Sequence, residues 1–156
     1  MRRLVLCCCA IALVACSKPK EEPAVESTTA APETPAAPAP IALTDIAGKW
    51  SVRTMAETGD SVLVSYELVA SSDTSGWSLN FPKRKPVPMR VVAVGGDSIV
   101  TEAGPFDSAL RKGVKVTTRS VNRLQDGKLV GTTVAHYATK GADSVRNLRF
   151  EGTRAP

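Results

Sequence analysis

From Ile41 onward the chain alternates apolar and polar residues in short runs, each closed by turn-forming residues. Alternation sends successive side chains to opposite faces, so each run predicts a strand with one face on a core. Residues 50–54 form the first run, and a turn over 57–60 ends it. In the next, 62–68, Val62, Val64, Tyr66 and Leu68 share one face while Ser65 and Glu67 take the other. Further runs cover 77–81, 87–94, 98–103, 114–121, 129–137 and 144–151, which makes eight strands at fairly even spacing. One interruption, 106–113, predicts a short helical turn, because Phe106 and Leu110 are four apart and Gly113 supplies a stop.

Eight short strands joined mainly by tight turns predict an all-β fold. An eight-stranded antiparallel up-and-down barrel removes the exposed edges that a meander of this size would leave. A two-sheet β-sandwich is the alternative. Eight strands enclose just enough space to be filled by side chains or to hold one small ligand. Gly59-Asp60-Ser61 and Gly96-Asp97-Ser98 repeat at strand entrances, with Gly141-Ala142-Asp143-Ser144 as a longer variant. They read as turns, since glycine permits positive φ and aspartate bonds its own backbone. Calcium-loop ligand spacing does not follow them.

Upstream of Ile41 the pattern disappears. Residues 17–40 hold six of the chain's 11 prolines, with Ala, Glu, Thr, Ser and Lys making up nearly all the rest. Such a stretch cannot bury enough apolar surface to offset the entropy of ordering it, so a disordered linker is expected over 16–40. It would reach about 75 Å as polyproline II and about 25–30 Å as a flexible coil. Before it, Arg2-Arg3 precedes a continuous apolar or small run from Leu4 to Val14. A run that short does not span a bilayer, and it matches the apolar part of a signal peptide over 1–15.

Leu13-Val14-Ala15-Cys16 at the end of that run resembles the lipobox of bacterial lipoproteins. The resemblance implies cleavage before Cys16 and thioether lipidation of its thiol with diacylglycerol, including palmitate-type chains. Two or more acyl chains hold a protein stably where one does not. Ser17, where inner-membrane lipoproteins tend to carry Asp, implies the outer membrane of a two-membrane envelope.

All four cysteines, Cys7, Cys8, Cys9 and Cys16, lie in this leader, so nothing downstream can form a disulfide. The charge is uneven: +2 before Cys16, −2 over 16–40 and +5 from Ile41 onward, matching the net +5 of the whole. A mildly basic domain favours anionic lipid or polymer at an envelope. Its cations look dispersed among strands, which gives no nucleic-acid signature.

A second resemblance lies at the start of the domain. Asp45-Ile46-Ala47-Gly48-Lys49-Trp50 is similar to the Gly-x-Trp entry of the calycins, which include lipocalins, fatty-acid-binding proteins and avidins. It implies that Trp50 plugs the closed end of a barrel beneath a basic side chain from the last strand. Arg149 is the expected cation, with Arg154 second. Trp50, Tyr66, Trp77 and Phe81 would then line any interior ligand site. The later lipocalin turn signature and the avidin tryptophans are missing, so the resemblance implies a barrel and names no ligand.

Candidates for chemistry are few. His136 is the sole histidine, and it faces solvent if Leu129, Gly131, Thr133, Ala135 and Tyr137 face inward. Haem ligation would need the opposite face, and one histidine without cysteine makes no ordinary structural zinc site. No serine sits in a nucleophile elbow and no glycine loop cradles phosphate. No catalytic residue, metal or cofactor is therefore expected. Lys83-Arg84-Lys85 reads first as a solvated charged loop and second as a contact for anionic lipid.

These observations leave a lipid-anchored, non-enzymatic envelope protein. Its barrel serves as a structural or interaction module, with lipocalin-like binding of a small apolar ligand as the alternative. Expected partners are the membrane through Cys16 and either an envelope protein or that ligand, with no nucleic acid. The Cys16→Ser variant should move from the membrane to the soluble fraction on cell fractionation. Retention in the membrane would refute lipidation.

Overall fold

The computed structural model describes residues 40–156. The expected signal segment over 1–15, the Cys16 lipidation site and the linker up to residue 39 lie outside the described residues. Each alternating run becomes a strand: β1 (Gly48–Ala56), β2 (Val62–Ala70), β3 (Ser78–Asn80), β4 (Val87–Gly95), β5 (Ser98–Asp107), β6 (Lys115–Gln125), β7 (Lys128–Tyr137) and β8 (Val145–Arg154). They pair antiparallel in sequence order, and β8 returns to β1, closing a barrel. The two-sheet alternative is excluded by that last ladder, which runs from Trp50↔Arg154 to Ala56↔Leu148.

An even number of antiparallel strands puts the start of β1 and the end of β8 at one end, here the entry end. The β1–β2, β3–β4, β5–β6 and β7–β8 connections gather at the other, the loop end. Alternation decides what faces inward. Trp50, Val52 and Thr54 of β1 are buried while Lys49, Ser51 and Arg53 are exposed. Leu129, Thr133, Ala135 and Tyr137 of β7 are buried as well. The main core joins Trp50, Val52, Leu68, Trp77, Ile99 and Phe150 with their neighbours, and a smaller cluster of Val116, Ala135, Tyr137 and Leu148 lies beside it.

Two local elements differ from expectation. The helical turn expected over 106–113 is absent. Phe106 and Asp107 instead extend β5, pairing with Val116 and Lys115 of β6. Ser108 then turns the chain, its Oγ accepting the N–H groups of Leu110 and Arg111 at 3.0 Å each. Long-range strand pairing thus outcompetes a single i,i+4 apolar pair. Conversely, a one-turn helix, α1 (Leu43–Ile46), precedes β1, and Asp45 caps it by accepting the N–H of Ala42 at 2.8 Å. All eight strands that close the barrel lie within the described residues.

Packing is tightest where a large side chain faces none. Gly131 on β7 sits opposite Phe150 on β8, whose ring occupies the space a side chain would need. A Cβ at Gly131 would meet the carbonyl oxygen of Val121 at 2.0 Å and Phe150 Cζ at 2.5 Å. The Gly131→Ala variant should therefore lose about 3 kcal/mol of stability by overpacking. A denaturant midpoint unchanged from the parent protein would contradict this packing.

Candidate functional site

At the entry end the fold builds a plug from the residues of the Gly-x-Trp stretch. Trp50 is completely buried, and its indole Nε1–H donates to the carbonyl of Ile46 at 2.7 Å. Arg154 lies over the indole with its guanidinium carbon 4.4 Å from the ring centroid. It also donates to the carbonyls of Ala47 and Asp45, each at 2.8 Å. A Cβ at Gly48 would stand 3.0 Å from Arg154 Nη1, and φ there is +125°, so both space and backbone call for glycine. Arg149, the expected cation, is not the one. Register sets Trp50 opposite Arg154 and Met55 opposite Arg149, and Arg149 points from the outer face toward Gly59 and Asp60 of the β1–β2 loop.

The barrel interior is nearly filled. A cavity of about 60 Å³ remains between Thr54, Tyr66, Phe81, Ser120, Thr133 and Phe150. Small-molecule sites typically enclose about 300–1,000 Å³, so this space suits a few waters. Tyr66 and Phe81 line it as expected, with ring centroids 5.2 Å apart. Trp50 and Trp77 do not: Trp50 belongs to the plug, and Trp77 is tied by its Nε1–H to the carbonyl of Asp73 at 2.8 Å. Unexpected are the polar groups inside. Ser120 and Thr133 share a hydrogen bond of 2.8 Å, and Asn122 donates to Ile99 O at 2.9 Å and Thr101 Oγ1 at 3.1 Å. Among the described residues no buried side-chain nitrogen or oxygen lacks a partner. Alternation on β6 places Thr118, Ser120 and Asn122 on the inner face, so the pattern itself carried the signal.

The loop end is built differently. Ser108, Ala109 and Leu110 of the β5–β6 loop close one side of the cavity. Arg111 holds that loop down, stacking 4.1 Å from the Tyr137 ring centroid and donating to the carbonyl of Asp143 at 2.7 Å. Beside it the wall opens. The β4–β5 ladder stops at Met89↔Ala103, and below that pair the two strands part around a groove of about 620 Å³. Pro86, Pro88 and Pro105 border it and have no N–H, so the seam cannot continue as a ladder. Phe81, Val87 and Phe106 form its apolar floor, and Phe81 stacks on Phe106 with centroids 5.8 Å apart. Arg84 crosses the seam to the carbonyl of Asp107 at 2.8 Å.

Charge follows the same division. Several strand cations are paired: Glu102 bonds both Arg90 and Arg119, and those two hydrogen bonds, Arg90 first, hold its carboxyl below the usual range. Arg123 pairs with Asp97 at 3.0 Å and Lys128 with Glu151 at 2.9 Å. The two loops beside the groove and the adjoining strand ends carry Lys83, Arg84, Lys85, Arg111, Lys112 and Lys115 against Asp107 alone. That is a local excess of +5 beside the groove, while the other ten cations and ten acids of the domain are spread over strands and turns. His136 is exposed on the outer face of β7, between buried Ala135 and Tyr137, and cannot ligate a group held inside. Among the described residues no three His, Cys, Asp or Glu side chains converge on a possible metal position.

Burial pushes the Tyr66 phenol up to about 12, partly offset by its hydrogen bond with Thr54. An unfolded tyrosine titrates near 10, so this contribution to stability is complete below pH 10 and is lost as pH rises through about 12. In an alkaline titration followed by phenolate absorbance, Tyr66 should ionise at about pH 12 and not near 10. Tyr66→Phe should remove that step and shift alkaline unfolding to higher pH. Ionisation of Tyr66 at its ordinary value in the folded barrel would refute the assignment. Set beside known proteins, the chain matches no family model, no curated protein and no solved structure.

Proposed function

We propose that this protein is a lipid-anchored component of the bacterial envelope whose calycin-like barrel acts without catalysis, as an interaction module. Cys16 is the attachment point, and Ser17 favours the outer membrane where the cell has one. The barrel supplies a rigid body, and its loop end is the surface offered to the envelope. Support for the calycin-like assignment comes from Gly48, Trp50 and Arg154, which stand together at the entry end as the Gly-x-Trp resemblance implies.

The observation that carries the interaction reading is the interior. With about 60 Å³ free, and with Ser120, Asn122 and Thr133 bonded within the barrel, neither the volume nor the polar groups call for a ligand there. An apolar ligand of ordinary size would have to displace the packed Phe81, Leu110 or Phe150 side chains. Retinol, a neutral apolar probe, should therefore leave the fluorescence of Trp50 and Trp77 unchanged at every concentration. Saturable one-to-one quenching would overturn the filled-barrel reading in favour of a lipocalin-like carrier.

A further inference from the structure

The groove at the loop end combines two features. Its floor is apolar and aromatic, from Phe81, Val87 and Phe106, and proline rings extend it on both sides. Its rim is cationic. Arg84, Lys85 and Lys115 line it, and Lys83 and Lys112 sit on the same two loops. Asp107, the one acid there, is already engaged: its carboxylate pairs with Lys115 at 2.9 Å and its carbonyl accepts from Arg84. Lys83, Lys85 and Lys112 are exposed and make no ion pair among the described residues.

A partner complementary to this surface must present anionic groups next to apolar chain. We propose that the β4–β5 groove docks the barrel on an anionic phospholipid surface. Lys83, Lys85 and Lys112 take headgroup phosphates, while acyl chain near the headgroup rests on the half-buried Val87 and Phe106, with Phe81 packed beneath them. A lysine is a point charge on a flexible stem, suited to phosphates whose positions shift in a fluid bilayer. Each cation close to such a surface adds to binding, and the attraction fades within a Debye length, so it is short-ranged and salt-sensitive. The other cations of the domain are spread along strands, with as many acids on strands and turns, which leaves the groove rim as the densest cationic patch. Pro40 lies at the opposite end of the barrel, beside Asp97 and Arg123.

This names the partner of the loop end and rests on the envelope reading only for the presence of a membrane. The test needs no Cys16, so its failure and the failure of lipid anchoring are separate results. The closed barrel, residues 40–156 with all eight strands, is mixed with vesicles of phosphatidylcholine alone or with phosphatidylglycerol added. Flotation should show binding only with phosphatidylglycerol, falling as salt rises. Replacing Lys83, Lys85 and Lys112 together by Gln should weaken partitioning about a hundredfold. The same loss of charge at Lys49, Arg53 and Arg146, on the strands, should change it several-fold at most. In a Val87→Trp variant, brominated acyl chains should quench the added indole. Equal loss from both triple variants, equal binding to both vesicle types, or an unquenched indole would each overturn the proposal. So would preferential binding of a soluble polyanion such as polyglutamate.

Discussion

The structure depends on one closure, the ladder that pairs β1 with β8 and so joins the start of the domain to its end. The chain has no cysteine beyond Cys16, so no covalent link assists this closure. Backbone hydrogen bonds along seven residue pairs do so, secured at the entry end by the Trp50 plug. There the indole is held from below by Ile46 O and from above by the Arg154 guanidinium, which also anchors the carbonyls around α1. An exposed arginine on an indole contributes only about 0.5–1 kcal/mol. Its larger consequence is geometric, because Arg154 can reach Trp50 only when the two strands pair in the observed register.

Closure with eight strands also sets the interior volume, and the inner side chains use nearly all of it. Phe150 lies across Gly131, so one strand yields space that its neighbour fills. The polar side chains of β5, β6 and β7 are tolerated inside because they bond one another in pairs or bond a nearby carbonyl. A hollow version of this barrel would need smaller residues at several of these positions at once. With the interior occupied, the loops become the place where the molecule meets others.

The loop end owes its character to where the ladders stop. Cross-strand pairs on the outer wall offset each other's charge, as Glu102 does with Arg90 and Arg119. Loops have no opposite strand to supply a counter-charge. Lys83-Arg84-Lys85 and Lys112 are therefore left as a group, and the parting of β4 from β5 opens an apolar floor of Val87 and Phe106 between them, with Phe81 buried beneath.

How much of this was legible beforehand follows from the range of each interaction. Strand positions were legible because alternation is local: the inner face of β7, and with it the outward-facing His136, can be read from Leu129 to Tyr137 alone. The turns at Gly59, Gly96 and Gly141 were legible because glycine and aspartate act within three or four residues. The lipobox resemblance at Leu13-Val14-Ala15-Cys16 and the proline-rich composition after it likewise belong to the sequence by itself. What required tertiary structure was register and volume. Whether Arg149 or Arg154 meets Trp50 depends on how β8 slides along β1. Whether Phe106 joins a helix or a strand depends on β6 offering Val116 as a partner. Whether Lys83–Lys85 and Arg111–Lys112 pool their charge depends on both loops lying at one end of a closed barrel. A single strand's pattern carries none of these, since each is a relation between segments that meet only when the sheet closes.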